Sequence, residues 1–399
     1  MLTGKNILLG VTGGIAAYKA AGLASMLAKL HADVHVIMTQ NAEKMISPHV
    51  FEALTGNRVV DDVFDRSSGY HVAHIAMARE ADAVMIAPAS ANIIAKLAHG
   101  IADDMLSTTM LAVTGPVYVV PAMNTRMYDH AATQENLIKI KSLGYRVVEP
   151  VSGYLACGDT GKGKMPEPQE LLEYLLYEAA FEKDLAGKKV LITAGPTREP
   201  IDPVRYITNH STGKMGYALA RNAVLRGASV TLVTGPVSLQ PPLYADVRQA
   251  GSAQEMYEAV EACFDGQDIV VMAAAVADYR PAHPAAEKIK KKDDSSVLEL
   301  ERTKDILGSM SARKKHQFLC GFSMETEHML ENSRAKLAKK HLDMIVANHL
   351  RMEGAGFGTD TNIVTIITEQ GEKQLPKMSK DEAAGAVFDE ILNKMRGNG

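Results

Sequence analysis

Short apolar runs alternate with longer stretches of helical spacing along the whole chain. Ile7–Val11, Val34–Met38, Ala83–Ala87 and Val117–Val120 are almost wholly apolar, and each is bounded by turn residues. After the first run, Ala20, Leu23, Ala24, Leu27 and Ala28 fall on one stripe, which is helical spacing. Strands that do not alternate are covered on both faces, so the pattern predicts a parallel sheet with helices on each side. The same theme then restarts. Val190–Thr193, Val230–Val233, Ile269–Ala273, Phe318–Gly321, Met344–Ala347 and Ile363–Ile367 are further predicted strands. Between them, Met215, Leu219 and Ala223 line one helix face, with Gly227 as its stop.

The predicted fold class is α/β, with two doubly wound, mostly parallel-sheet domains of flavodoxin or Rossmann-like type. The segment 151–168 mixes glycines, prolines and one cysteine and reads as a mobile loop. Leu171–Glu182 reads as a helix, and Asp184–Gly187 as the boundary. The domains are therefore expected at 1–184 and 185–399. A long loop is expected from the end of the Val190–Thr193 strand to Ser211, and Lys288–Ser296 reads as a polar loop or hairpin.

A chain of 399 residues exceeds one ordinary core and suits two. Its net charge of −4 gives no general field for nucleic acid or an anionic membrane. Ile269–Ala277 is the longest strictly apolar stretch, well short of the ~20 residues that span a bilayer. Lys5 before an apolar run resembles a signal peptide, but Gly13-Gly14 interrupts it. The three cysteines form no disulfide or zinc spacing, so a reducing, cytoplasmic setting is expected.

Candidate chemistry lies where apolar runs end. Gly10-Val-Thr-Gly13-Gly14-Ile15 joins strand to helix, where amides and the helix dipole favour phosphate; a plain tight turn explains the glycines nearly as well. Asn124 follows a buried strand, at the end where ligands bind open α/β sheets; an Asx-turn is the simpler reading. His74 suits acid–base work but equally a structural place near a helix start. Cys157 sits in the glycine-rich loop as a candidate proton donor or an incidental thiol, whereas Cys263 and Cys320 read as small core residues. Gly213-Lys214 fails P-loop spacing. The polar stretch Thr197–Gly216 is too long for a mere connection. Glu287–Lys292 is a solvated charge run unless it stands beside phosphates.

Taken together the strings are specific. GVTGGIAAYK, APASAN, PAMN and ACGDTGKGKMPEP resemble the flavin-dependent cysteine decarboxylases. ITAGPTREPIDPVRYITNHSTGKMG, AAAVADYRP and EKIKKK resemble phosphopantothenate–cysteine ligase. In this order, over essentially the whole chain, they resemble the bifunctional phosphopantothenoylcysteine decarboxylase/phosphopantothenate–cysteine ligase family of coenzyme A synthesis.

The resemblance implies FMN in the first half, at Gly13, Gly14, Ile15, Thr39, Ser90 and Ser107, with His74, Asn124 and Cys157 as active-site residues. In the second half it implies Asn209 acting on the activated acyl group and Lys288 forming it, with Ala274, Asp278, Phe322, Lys336 and Lys340 on the CTP pattern. Mg²⁺ is implied beside CTP. The implied reaction joins cysteine to 4′-phosphopantothenate through an acyl-cytidylate. Oxidation of the cysteinyl CH–SH to a thioaldehyde then lets CO₂ leave, and re-reduction gives 4′-phosphopantetheine. Trimeric flavin domains and dimeric ligase domains would build a dodecamer of small-molecule enzymes, with no nucleic-acid or membrane partner. Lys164, Thr303-Lys304-Asp305, Ala73-His74-Ile75 and Asn348-His349 depart from the family's commoner residues. The competing expectations are a flavin-binding regulatory subunit without catalysis and, with no GxGxxG to support it, a nicotinamide-linked dehydrogenase.

Overall fold

A computed structural model describes residues 1–64, 72–154, 158–291, 297–325, 328–349, 356 and 358–397. Its contacts divide the chain into two compact units, Met1–Glu182 and Lys183–Gly399.

In the first unit, β1 (Asn6–Val11), β2 (Asp33–Met38), β3 (Ala83–Ala89), β4 (Val117–Pro121) and β5 (Arg146–Val147) form one sheet in the order β2-β1-β3-β4-β5. Every pair is parallel. Leu8, Ile37, Val84, Ile86 and Val119 pack on one face with Ile93 and Leu106 from the helices Ala91–His99 and Met105–Ala112. Each such side chain contributes about 1.5–3 kcal/mol on burial. The helices Ala17–Lys29 and Pro168–Ala179 pack against one another and against β3. Ala20, Leu23, Ala24 and Leu27 are buried as the stripe predicts, while Ala28 is only half-buried.

Two readings are corrected. The helix expected at Leu171–Glu182 runs from Pro168 to Ala179, because Glu167 caps it in a box with Glu170 and Pro168 suits a first turn. The segment read as a loop folds as an antiparallel hairpin of β6 (Val151–Tyr154) and β7 (Thr160–Lys164). Cys157 lies outside the described residues. The hairpin seats on the turn after β4: Met123 N donates to Gly163 O at 3.1 Å. Gly163 has φ +141°, and a Cβ there would lie 2.3 Å from Met123 O. Lys162 Nζ reaches Glu149 at 2.9 Å, and Glu149 also receives Tyr128 OH at 2.9 Å and Lys141 at 3.0 Å. The Lys162 bond, against burial and aided by Lys141 and Tyr128, holds the Glu149 carboxyl at about 2.

In the second unit the strands are β8 (Lys189–Ala194), β9 (Arg198–Pro200), β10 (Tyr206–Thr208), β11 (Ser229–Thr234), β12 (Asp246–Gln249), β13 (Ile269–Met272), β14 (Tyr279–Pro281), β15 (Leu300–Arg302), β16 (Phe318–Glu325), β17 (Met344–His349), β18 (Thr361–Asn362), β19 (Val364–Thr368), β20 (Gly371–Gln374) and β21 (Met378–Ser379). The main sheet runs β12-β11-β8-β13-β16-β17-β19-β20. It is parallel as far as β17, and β19 and β20 close it antiparallel. Both units thus have the doubly wound, mostly parallel α/β architecture that the apolar runs predict. The helix Lys214–Leu225 ends at Arg226, followed by Gly227 at φ +88°.

The stretch expected as one loop to Ser211 contains the antiparallel β9–β10 pair. The lysine-rich stretch follows β14 and precedes β15, which pair antiparallel; residues 288–291 carry no regular structure, and 292–296 lie outside the described residues. Cys320 is fully buried, and burial pushes its thiol up. Cys263 packs against the core as expected but is only partly buried, its Sγ donating to Ala259 O at 3.0 Å. Among the described residues no helix is long and apolar enough to cross a membrane.

Gly163→Ala is expected to unseat the hairpin. Strain of ~1–3 kcal/mol should raise trypsin cleavage after Lys162 and Lys164 about tenfold. The Glu149 carboxyl is depressed from its ordinary 4.5, so the stability it lends is complete above that pH and is lost as pH falls toward 2. Hydrogen-exchange protection of Thr160–Lys164 should therefore hold from neutrality to about pH 4.5 and decline below it, and Glu149→Gln should flatten that profile.

Candidate functional site

In the first sheet the strand order reverses between β1 and β3, and ligands bind open α/β sheets outside the strand ends at such a point. A buried threonine closes the crevice there. Thr12 is 2% exposed, and its Oγ1 donates to Pro88 O at 2.7 Å and accepts from Ser90 N at 2.9 Å. Gly13, Gly14, Ile15 and Ser90 are thereby brought to one edge. Thr39 joins them, its N donating to Val11 O at 3.1 Å. Ser90 caps the helix Ala91–His99, and Ile15 precedes Ala17–Lys29. Two helix N-termini thus meet at the crevice, the arrangement that attracts phosphate. A Cβ on Gly13 would lie 2.6 Å from Asn41 Cβ, so this close approach of the two loops requires glycine. These donors fit a phosphate-bearing flavin.

His74 sits in the first turn of the helix Ala73–Glu80, which leads into β3, so the turn lies toward the edge where the strands end. Its Nδ1 is buried and has no partner among the described residues. Ser107 is different: its hydroxyl completes a capping box, donating to Asp104 Oδ1 at 2.8 Å, and the residue is 1% exposed. Asn124, at the end of β4, makes the Asx-turn that its position allows: Oδ1 accepts from Arg126 N at 2.8 Å. The amide is directed elsewhere, Nδ2 donating to Asp159 Oδ2 on the hairpin at 3.1 Å. Lys164 Nζ stands 3.9 Å from Glu167.

The second sheet reverses between β8 and β13. A cavity of about 550 Å³ opens there, and Ala274, Asp278, Phe322, Lys336 and Lys340 all line it. Thr303, Lys304 and Asp305, the departures noted above, line it as well. Its wall is cationic. Lys336 Nζ approaches Phe322 O at 3.4 Å, and Lys304 lies 4.4 Å from the centre of the Tyr257 ring. Lys340 bonds Asp305 at 2.8 Å; burial opposes the Asp305 charge, but this bond prevails and holds the carboxyl below its usual range. The loop after β13 is stitched to β8 and to the loop that follows it by two buried threonines. Ala274 N donates to Thr193 Oγ1 at 3.1 Å and Ala277 N to Thr197 Oγ1 at 3.0 Å.

Asn209 Nδ2 donates to Ala275 O at 2.9 Å, beside Ala274. Ala274 and Phe322 are shared with a second cavity of about 110 Å³. Sequence reasoning touched this cavity through the Thr197–Gly216 stretch, Ala274 and Phe322, but did not reach Asn362 or Lys380. Ser211–Gly216, at the start of the helix Lys214–Leu225, line it together with Asn348, Asn362 and Lys380. Asn348 Oδ1 is buried with no partner among the described residues. Lys380, 7% exposed, donates to the carbonyls of Gly356, Thr359 and Thr361. The glycine-flanked helix start was a usable signal, whereas a lysine buried by its tertiary contacts gives none. Lys288 lines neither cavity. It is exposed, next to Ile289, whose N donates to Asp202 Oδ2 at 3.1 Å and whose O accepts from Arg205 at 3.0 Å. Among the described residues no group of three His, Cys, Asp or Glu could hold a metal.

Residues 1–179 match the Flavoprotein family, and residues 185–395 match the family described as DNA/pantothenate metabolism flavoprotein C-terminal domain. The coenzyme A biosynthesis bifunctional protein CoaBC of Bacillus subtilis (strain 168) is 50% identical over 405 residues, covering 100% of this chain and 99% of its own. The protein of the same description from Escherichia coli (strain K12) is 43% identical over 397 residues and 98% of each chain. Among solved structures, the C-terminal domain of a coenzyme A biosynthesis bifunctional protein CoaBC is 44% identical. It covers 53% of this chain and 98% of that one, with a TM-score of 0.47. At half identity across its full length, and with a flavoprotein unit followed by a pantothenate-metabolism unit, the chain belongs to the family of bifunctional coenzyme A biosynthesis proteins.

Proposed function

We propose that the chain carries out two successive steps of coenzyme A synthesis. The second unit, a CTP-dependent phosphopantothenate–cysteine ligase, joins cysteine to 4′-phosphopantothenate through an acyl-cytidylate. The first unit, an FMN-dependent decarboxylase, converts the phosphopantothenoylcysteine formed into 4′-phosphopantetheine. The observation that carries this reading is the convergence of Ala274, Asp278, Phe322, Lys336 and Lys340 on one cationic cavity of about 550 Å³. That is ample for a nucleotide, and the lysines answer the charge of a triphosphate.

In the ligase, Asn209 orients the mixed anhydride for attack by the cysteine amine. Lys288 acts as a point charge on the departing pyrophosphate. It lies on an exposed stretch away from the cavity, so its role requires that stretch to close or a second copy to supply it. Mg²⁺ arrives with the phosphates of CTP, since such ions are held largely by substrate oxygens.

In the decarboxylase, Gly13, Gly14, Ile15, Thr39 and Ser90 hold the flavin at the crevice. FMN, when bound, supplies the two-electron store that lets CO₂ leave. Asn124 holds the substrate carboxylate and His74 positions or deprotonates the substrate. Cys157 delivers the closing proton. Exposed Ile15, Tyr18, Val72 and Ile75 leave apolar surface near the same edge, which supports trimeric packing of this unit and, with dimeric ligase units, a dodecamer.

The FMN-loaded protein, given 4′-phosphopantothenate, cysteine, CTP and Mg²⁺, should release pyrophosphate and CO₂ in equal amounts. Absence of CO₂ from flavin-loaded protein would favour a regulatory flavoprotein instead. Lys288→Gln should slow pyrophosphate release at least about 100-fold. Cys157→Ser should leave that step intact and slow 4′-phosphopantetheine formation by roughly 10²–10⁴-fold. Quantifying both products by chromatography separates the two effects.

A further inference from the structure

The Asn124 amide already faces a carboxylate from its own chain. Oδ1 is committed to Arg126 N at 2.8 Å, which fixes which way the amide points. The donor end, Nδ2, is therefore aimed at the hairpin, where Asp159 Oδ2 receives it at 3.1 Å. Asp159 reaches this place through a built seat. It directly precedes β7, whose Gly163 carbonyl is bonded to Met123 N and whose Lys162 is bonded to Glu149. Gly161 of the same strand packs against Thr125, the residue after Asn124; a Cβ at Gly161 would lie 2.6 Å from Thr125 Oγ1. The turn Met123–Asn124–Thr125 and the strand Thr160–Lys164 thus fit each other residue by residue.

A second carboxylate brought to the same amide meets this one at close range. Two like charges sharing one donor repel, and one of them must leave or be neutralised. We infer that Asp159 is an internal competitor of the substrate carboxylate: it occupies the recognition position at Asn124 and weakens the binding only of a ligand that brings a carboxylate of its own. This rests on the proposed role of Asn124 as holder of the substrate carboxylate. A substrate ending in a carboxylate competes for the amide on equal terms. A ligand without one gains nothing at Asn124 and leaves Asp159 in place.

The test is binding rather than turnover, using FMN-loaded full-length protein. The probes are 4′-phosphopantothenoyl-alanine, which keeps the carboxylate but has no thiol to react, and its carboxamide. By titration calorimetry, Asp159→Ala should bind the acid about 5–10-fold tighter and the carboxamide unchanged. Asp159→Asn, which preserves the side chain's shape, should shift the acid in the same direction by less. Unchanged or weaker binding of the acid in both variants would overturn the proposal. Equal tightening of acid and carboxamide would do so too, because Asp159 would then only hold the hairpin in place. Asn124→Ala should abolish the preference for acid over carboxamide. If that preference survives, the reading of Asn124 itself fails and the proposal falls with it. If Asn124→Ala abolishes it while the Asp159 variants change nothing, only the role of Asp159 fails.

Discussion

A strand covered by helices on both faces can be reached by a ligand only at its ends. That constraint governs both units. In each, the strand order reverses next to its first strand, β1 beside β3 and β8 beside β13, so two connecting loops diverge there and leave a crevice. Each unit holds the crevice in shape by the same means. Thr12 in the first unit, and Thr193 and Thr197 in the second, are almost fully buried. Their hydroxyls tie one loop to the other through main-chain groups. A buried hydroxyl bonded in this way costs little, whereas leaving it unpaired would be expensive. The two loops therefore sit at a fixed distance.

The crevices differ in electrostatics. The first relies on backbone amides and helix N-termini, with neutral side chains around Gly13 and Ser90. The second is lined by lysines, one of them already balanced by Asp305. Amides suit a resident anion, because they need no counter-charge once the ligand has left. Lysines suit a highly charged substrate that must arrive quickly and depart in pieces. Two of the buried polar atoms without a partner among the described residues, His74 Nδ1 and Asn348 Oδ1, belong to these two edges, where an unsatisfied group is readily explained by a ligand.

Much of the fold was legible because the predicted strands are apolar on both faces, a pattern that a sheet covered by helices on each side accommodates; it did not reveal that β19 runs antiparallel. The hairpin β6–β7 was not legible, since its residues are mostly exposed and show no alternation; what makes it a hairpin is its seat on Met123. The β9–β10 pair was hidden for the same reason, within a stretch whose polarity reads as a loop. At the sites, Gly13 and Asn124 follow strands and were visible from position alone, whereas Ser90 entered only through family resemblance. Lys336 and Lys340, one helical turn apart on Met329–Lys339 and its cap, were reachable only through family resemblance. Ser107, too, was reachable only through the resemblance, and its hydroxyl closes a helix cap.

By itself, the order of apolar runs and glycine-bearing turns determined two α/β units, their strand order along the chain, and the edge at which chemistry would occur. These are local properties, set by side-chain burial and by the turns that backbone sterics allow. Tertiary structure decided which polar residues meet. It put five residues from three stretches of sequence on one cavity, kept Lys288 away from it, buried Lys380 among carbonyls, and set Asp159 against Asn124. Such meetings depend on packing across the sheet and on hydrogen bonds between distant residues, and no local pattern encodes either.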